Sequence, residues 1–153
     1  MFKTLFCFSD RLIRLIISTQ DLDDEVEEEL YEILSHNGQR YVNRRKLSGD
    51  VLEKGVEFFE YLTETLKVNM VYVAKSSLEI VILCPTLESL EKLWNYHVSG
   101  HLSKVAERLL VTDEIKRKLN LETVRLTTTI GKENYLMCKK VLMEMTGKLC
   151  LVK

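Results

Sequence analysis

The chain has 153 residues, 46% of them apolar and 29% charged, which suits one globular domain and excludes a disordered tail or a fibrous repeat. A formal net charge of −1 supplies no long-range field toward nucleic acid or an anionic membrane surface. Cys7, Cys84, Cys138 and Cys150 lie far apart without a CxxC pair; in a secreted protein they would allow two disulfides, but they read better as reduced thiols of a cytoplasmic protein.

Residues 1–19 are apolar with scattered charges. Asp10, Arg11 and Arg14 interrupt the unbroken stretch that a signal peptide needs. No segment approaches the roughly 20 apolar residues of a membrane span. Phe2, Leu5, Phe6, Phe8, Leu12 and Ile16 suit a helix, whereas Leu12 to Ser18 suits a strand, and the pattern leaves both open. The phenylalanines would also suit an interfacial anchor, but the lysine-rich polar face of such a helix is missing, so packing against the domain is expected.

Asp21 to Glu29 then holds seven carboxylates in nine residues. It opens a helix with Leu22, Val26, Leu30 and Ile33 on one face, where the helix dipole favours carboxylates at the start. Asn37-Gly38 is expected to end that helix or turn the chain. Arg40, Arg44, Arg45 and Lys46 follow as a short basic stretch. Asp50 with Glu53 resembles a capping box for a helix whose inner face is Leu52, Val56, Phe59, Leu62 and Leu66.

Asn69 to Lys75 and Ser77 to Cys84 read as two strands. In the first, Met70, Tyr72 and Ala74 alternate with Val71 and Val73. The connection is short enough only for an antiparallel hairpin, and the near-continuous apolar run makes the second strand central. Pro85-Thr86 stops the strand and caps a helix with Leu87, Leu90, Trp94 and His97 inward. Ser99-Gly100 breaks it, and a second helix carries Leu102, Val105, Ala106 and Leu109. Thr112-Asp113 caps a short third helix ending near Leu119. From Glu122 to Ile130, Val124, Leu126, Thr128 and Ile130 alternate with Thr123, Arg125, Thr127 and Thr129, the signature of a half-buried strand. A last helix, from about Lys132 to Met145, points Tyr135, Cys138, Leu142 and Met145 inward, with Gly147 at its end. The order from Asp50 is α-β-β-α-α-α-β-α, and one earlier strand would complete a split βαββαβ. The expected fold is α+β, a ferredoxin-like α-β sandwich with a small antiparallel sheet and helices on one face.

Catalytic motifs are missing from the sequence. It contains no GxSxG, no glycine-rich phosphate loop and no HExxH. His97 and His101 have the i, i+4 spacing of a metal pair, but Gly100 lies between them and no third ligand is visible. The acidic run lacks the glycine turn of a calcium loop. No cofactor or metal is expected. The basic stretch Arg40, Arg44, Arg45 and Lys46 is a weak candidate for partner or phosphate contact. A sheet-based RNA reader would need more stacking aromatics than Tyr72 provides.

The strand Leu78 to Cys84, the helix Leu87 to Tyr96, the break Ser99-Gly100-His101-Leu102, the turn Leu109 to Asp113 and the strand Leu126 to Ile130 together resemble the TRADD-like N-terminal domain family. Counted from the helix at Asp50, the resemblance covers residues 50–146, with 1–49 as an N-terminal extension, helical or with one strand, and 147–153 as a tail. The resemblance implies an α-β sandwich without enzyme activity that recruits another signalling protein, such as a TRAF-type adaptor, in apoptotic or innate-immune signalling. It assigns no partner-contacting residue, and a homo-oligomer stays open. The alternative expectation is a small nucleic-acid-binding domain using the sheet face and the stretch 40–46.

Overall fold

Leu12–Gln20 is a strand, β1, whose burial follows a period of two: Ile13, Leu15 and Ile17 are buried, while Arg14 and Ile16 lie outside. A single 3-10 turn, Phe8–Arg11, leads into it. The computed structural model describes residues 8–47, 56–74 and 78–152. After β1 come α1 (Asp24–Leu47) and α2 (Glu57–Glu60), which widens into a π turn over Tyr61–Thr65. The hairpin β2 (Asn69–Val73) and β3 (Leu78–Leu83) follows, then α3 (Leu87–Val98), α4 (His101–Leu110) and α5 (Asp113–Leu119). Last come β4 (Arg125–Thr129) and α6 (Lys132–Val152). Among the described residues the protein is therefore α+β, with six α-helices and one four-stranded sheet in the order β2-β3-β1-β4, every neighbouring pair antiparallel.

The sheet has one packed face. Ile13 pairs with Ile82, Leu15 with Ile80 and Ile17 with Leu78, and all six side chains are buried. Thr128, opposite Ile17, and Val73, opposite Ile80, extend this face to both edges. Helix α1 lies over β2 and β3, and α4 lies over β4. Leu30, Leu34, Phe58, Phe59, Leu62, Leu90, Leu93, Leu102, Val105 and Leu110 complete one continuous core. The Glu27 carboxylate ties the end of β1 to α1. It accepts from the hydroxyls of Thr19 and Tyr31, and the Tyr31 hydroxyl in turn accepts from the Thr19 N–H at 3.1 Å.

Among the described residues, β1 lacks a strand neighbour along part of one side, because β4 pairs only with Ile16 to Gln20. Asn134, in the first turn of α6, fills the gap. Its side-chain amide accepts from the Arg14 N–H at 2.8 Å and donates to the Leu12 carbonyl at 2.8 Å, as a paired strand residue would. The outer edge of β4 is also closed. The Ser103 hydroxyl accepts from the Thr128 N–H at 2.9 Å, and the Glu107 carboxylate accepts from the Leu126 N–H at 3.0 Å. On the opposite edge Gln39 donates to the Val73 carbonyl at 2.9 Å.

Two helix starts are set by threonine caps. The Thr86 hydroxyl accepts from the Ser89 N–H at 3.0 Å, and Ser89 answers in a reciprocal capping box. Thr112 caps α5 through the Ile115 N–H, and Gly100, at φ +84, separates α3 from α4.

Several expectations need correction. Gly38 does not end α1, which continues to Leu47; the glycine is needed because the helix passes tightly over Phe59 and Val73. The expected alternation in β2 is broken by a bulge between Met70 and Tyr72, which leaves Tyr72 exposed and Val73 buried. In α3 the buried residues are Ser89, Leu90 and Leu93, while Leu87, Trp94 and His97 are only half-buried. In α4 the inward residue is Leu110 instead of Leu109. In α6, Val141 is buried and Met145 is 38% exposed. Gly147 does not stop α6, since a single glycine costs a helix only about 1 kcal/mol. The expected capping box at Asp50 and the position Leu52 lie outside the described residues.

A methyl group at Gly38 would stand 3.0 Å from both Phe59 Cζ and Val73 Cγ2. Replacing a helix-interior glycine by alanine ordinarily gains about 1 kcal/mol. Here crowding is expected to outweigh that gain, and Gly38→Ala should lose about 1–3 kcal/mol in urea unfolding. A stabilised variant would show that α1 can move away from Phe59.

Candidate functional site

The residues that alternate with the core positions build the second face of the sheet. Tyr72, Val81 and Arg14 form one row across β2, β3 and β1, and Glu79, Ile16 and Thr129 form another across β3, β1 and β4. Leu12 with Leu83 and Ser18 with Thr127 flank these rows. Among the described residues no helix lies over this face. Tyr72 is 56% exposed, Ile16 is 37% exposed, and Thr129 is exposed. Val81, Leu83 and Leu12 are half-buried beside them. The Arg14 guanidinium approaches the Glu79 carboxylate at 3.6 Å across the middle of the face, and its side chain is largely in solvent. With the arginine end in solvent, such a pair is worth little to stability. The result is an apolar centre of leucine, valine and isoleucine with a tyrosine at one margin and threonines at the other.

The positions singled out from sequence do not converge on this face. Arg40, Arg44, Arg45 and Lys46 fall in the last turns of α1, the helix over the packed side. Arg40 is half-buried, and the side chains of Arg44, Arg45 and Lys46 lie outside the described residues. His97 and His101 do not share a ligand position. The His97 ring packs against Trp94 at 5.1 Å, and His101 sits edge-on to Tyr96 at 4.8 Å. Among the described residues no group of three potential metal ligands occurs.

Asp24, Glu27 and Glu28 of the acidic run line a broad open groove of about 1150 Å³ along α1, together with Glu32, His36 and Lys118. Among the described residues, the buried side-chain nitrogen and oxygen atoms without a hydrogen-bond partner are Arg11 Nε, Tyr61 Oη and His97 Nδ1. They belong to three separate elements, and none of them lines that groove.

Helices α3 and α6 meet through an aromatic stack. Trp94 and Tyr135 lie 4.2 Å apart and 5° from parallel. The Tyr135 hydroxyl donates to Glu91 at 2.5 Å, and Lys139 pairs with Glu91 at 2.9 Å. The Glu91 carboxyl is held below its usual range by these bonds to Tyr135 and Lys139. Cys84 and Cys138 are free and buried, and burial pushes their thiols up to about 12 and about 11. Thiols so protonated are poor nucleophiles and behave as small core residues.

No family model, curated protein or solved structure matches the chain. The open face therefore has to be interpreted from its own residues. The alternation along β4 sets Thr127 and Thr129 on the face opposite Leu126 and Thr128. Arg14 and Ile16 carry no such signal, because the pattern over Leu12 to Ser18 leaves helix and strand open, and the bulge in β2 puts Tyr72 on the face opposite Met70.

His97, half-buried in α3, adds a pH dependence to the fold. Burial without a partner at Nδ1 lowers its pKa from 6.5, so the folded chain favours the neutral ring. The unfolded chain takes up the proton first. The stability that His97 contributes is therefore full above pH 6.5 and is lost as pH falls through the lower folded value. The melting temperature should drop on acidification in this range, and His97→Gln should flatten that part of the profile. An unchanged profile in His97→Gln would assign the acid sensitivity to other groups.

Proposed function

We propose that this chain is a non-catalytic adaptor module that recruits another signalling protein through the open face of its sheet. The observation that carries this reading is a four-stranded sheet that, among the described residues, is covered by helices on one side, with Ile16, Tyr72 and Val81 grouped around the Arg14–Glu79 pair on the other. A soluble protein gains nothing in its own core from exposed apolar side chains at the centre of a sheet, whereas a partner that covers them gains by desolvating them.

The resemblance of residues 50–146 to the TRADD-like N-terminal domain family supplies the context: apoptotic or innate-immune signalling in the cytoplasm, with a TRAF-type adaptor as partner. Two free buried thiols are consistent with a reducing compartment. Among the described residues no helix is long and apolar enough to cross a membrane. We assign the architecture as ferredoxin-like, supported by the strand order β2-β3-β1-β4 and by the alternation of strands and helices along the chain. The nucleic-acid reading would need the same face. It finds there a single aromatic, Tyr72, among the described residues, and the helix carrying residues 40–46 lies over the other side of the sheet.

Titration of the purified chain with the partner-binding domain of a TRAF-type adaptor tests the reading. Binding should weaken by about tenfold or more in Ile16→Glu, at the centre of the face, and by a smaller factor in Tyr72→Glu at its margin. Both side chains are exposed, so the melting temperature should stay close to that of the parent chain. If the parent chain binds no such domain the partner assignment fails, and undiminished binding by both variants removes the sheet face as the site.

A further inference from the structure

We infer that Ser103 and Glu107 of α4 are edge guards that keep β4 from adding a further strand, whether from an extended peptide or from β4 of a second copy. β4 is the last strand on its side of the sheet, and its outward backbone donors are those of Leu126 and Thr128. An edge strand with such donors free is a template for pairing with another chain. Here each donor is taken by a side chain of the helix that lies over the strand. The Glu107 carboxylate accepts from Leu126, and the Ser103 hydroxyl accepts from Thr128.

The spacing explains why one helix can do this. Ser103 and Glu107 are four residues apart, one turn of α4, while Leu126 and Thr128 are two apart along β4. Four residues of helix and two residues of strand advance by similar amounts, about 6–7 Å, so one helical face can satisfy alternate strand donors. The Ser103 hydroxyl also lies 2.9 Å from the Thr128 hydroxyl, which fixes its position at the edge. Neither contact is needed for burial of apolar surface. Leu102, Val105, Ala106 and Leu110, on the core side of α4, provide that.

The test compares the parent chain with Ser103→Ala/Glu107→Ala by backbone hydrogen exchange and by sedimentation over a wide range of concentration. In the variant the Leu126 and Thr128 amides should exchange faster by about tenfold or more, the loss expected for a hydrogen bond to a charged or well-placed acceptor. The same variant should self-associate with rising concentration, or bind a synthetic peptide of residues 124–130, where the parent does neither. Glu107→Gln keeps an acceptor at the edge and should behave as the parent chain. If the double variant does not fold cooperatively, Glu107→Ala alone gives the same readout at Leu126. Unchanged exchange at the freed amides overturns the inference. So does a folded variant that neither self-associates nor takes up the peptide, or association that Glu107→Gln also shows.

Discussion

The position of β1 between β3 and β4 is the constraint on which the rest of the structure depends. β3 pairs with Leu12 to Ile17 and β4 with Ile16 to Gln20, so the two neighbours overlap at Ile16 and Ile17. The strand must therefore be satisfied by different partners at its two ends. At the end that β4 does not reach, the Asn134 amide bonds to the backbone of Leu12 and Arg14. Asn134 lies in the first turn of α6, so the same contact fixes where the last helix begins and brings Tyr135 to Trp94 and Cys138 to the Arg11 carbonyl. One side-chain amide thus joins a strand near the start of the chain to a helix near its end.

The central strand also sets the two faces of the sheet. Because side chains alternate along a strand, placing Ile13, Leu15 and Ile17 in the core obliges Arg14 and Ile16 to face the other way. The register carries this division through Ile80 and Ile82 on one side and Glu79 and Val81 on the other. All the packing resources of α1, α2 and α4 go to the first face. The second keeps a short apolar centre crossed by one exposed ion pair, and the guarded β4 edge leaves side chains as the means by which β4 can meet a partner.

Local signals made much of the fold legible in the sequence. Threonine caps at Thr86 and Thr112, the Gly100 break and the β-branched alternation ending at Ile130 all depend on a few neighbouring residues, and the structure retains each of them. The features that were not legible depend on distant contacts. Leu12 to Ile17 is apolar in both strand phases, so only pairing with β3 and β4 decides its face. Gly38 resembles a helix stop until Phe59 and Val73 are seen against it. Trp94 looked like core by spacing, yet it is half-buried against Tyr135 because Leu93 takes the inner position. The same limit hid the candidate site, since an open sheet face is defined by which helices fail to cover it.

The most direct measurement of the central claim is the relaxation of side-chain methyl signals by a soluble, uncharged paramagnetic probe. The Ile16 methyls should relax strongly along with the Tyr72 ring, while Ile13, Leu15 and Ile80 stay protected. An Ile16 as protected as Leu15 would mean that the second face is covered, which would contradict the one-sided sheet and the docking surface drawn from it.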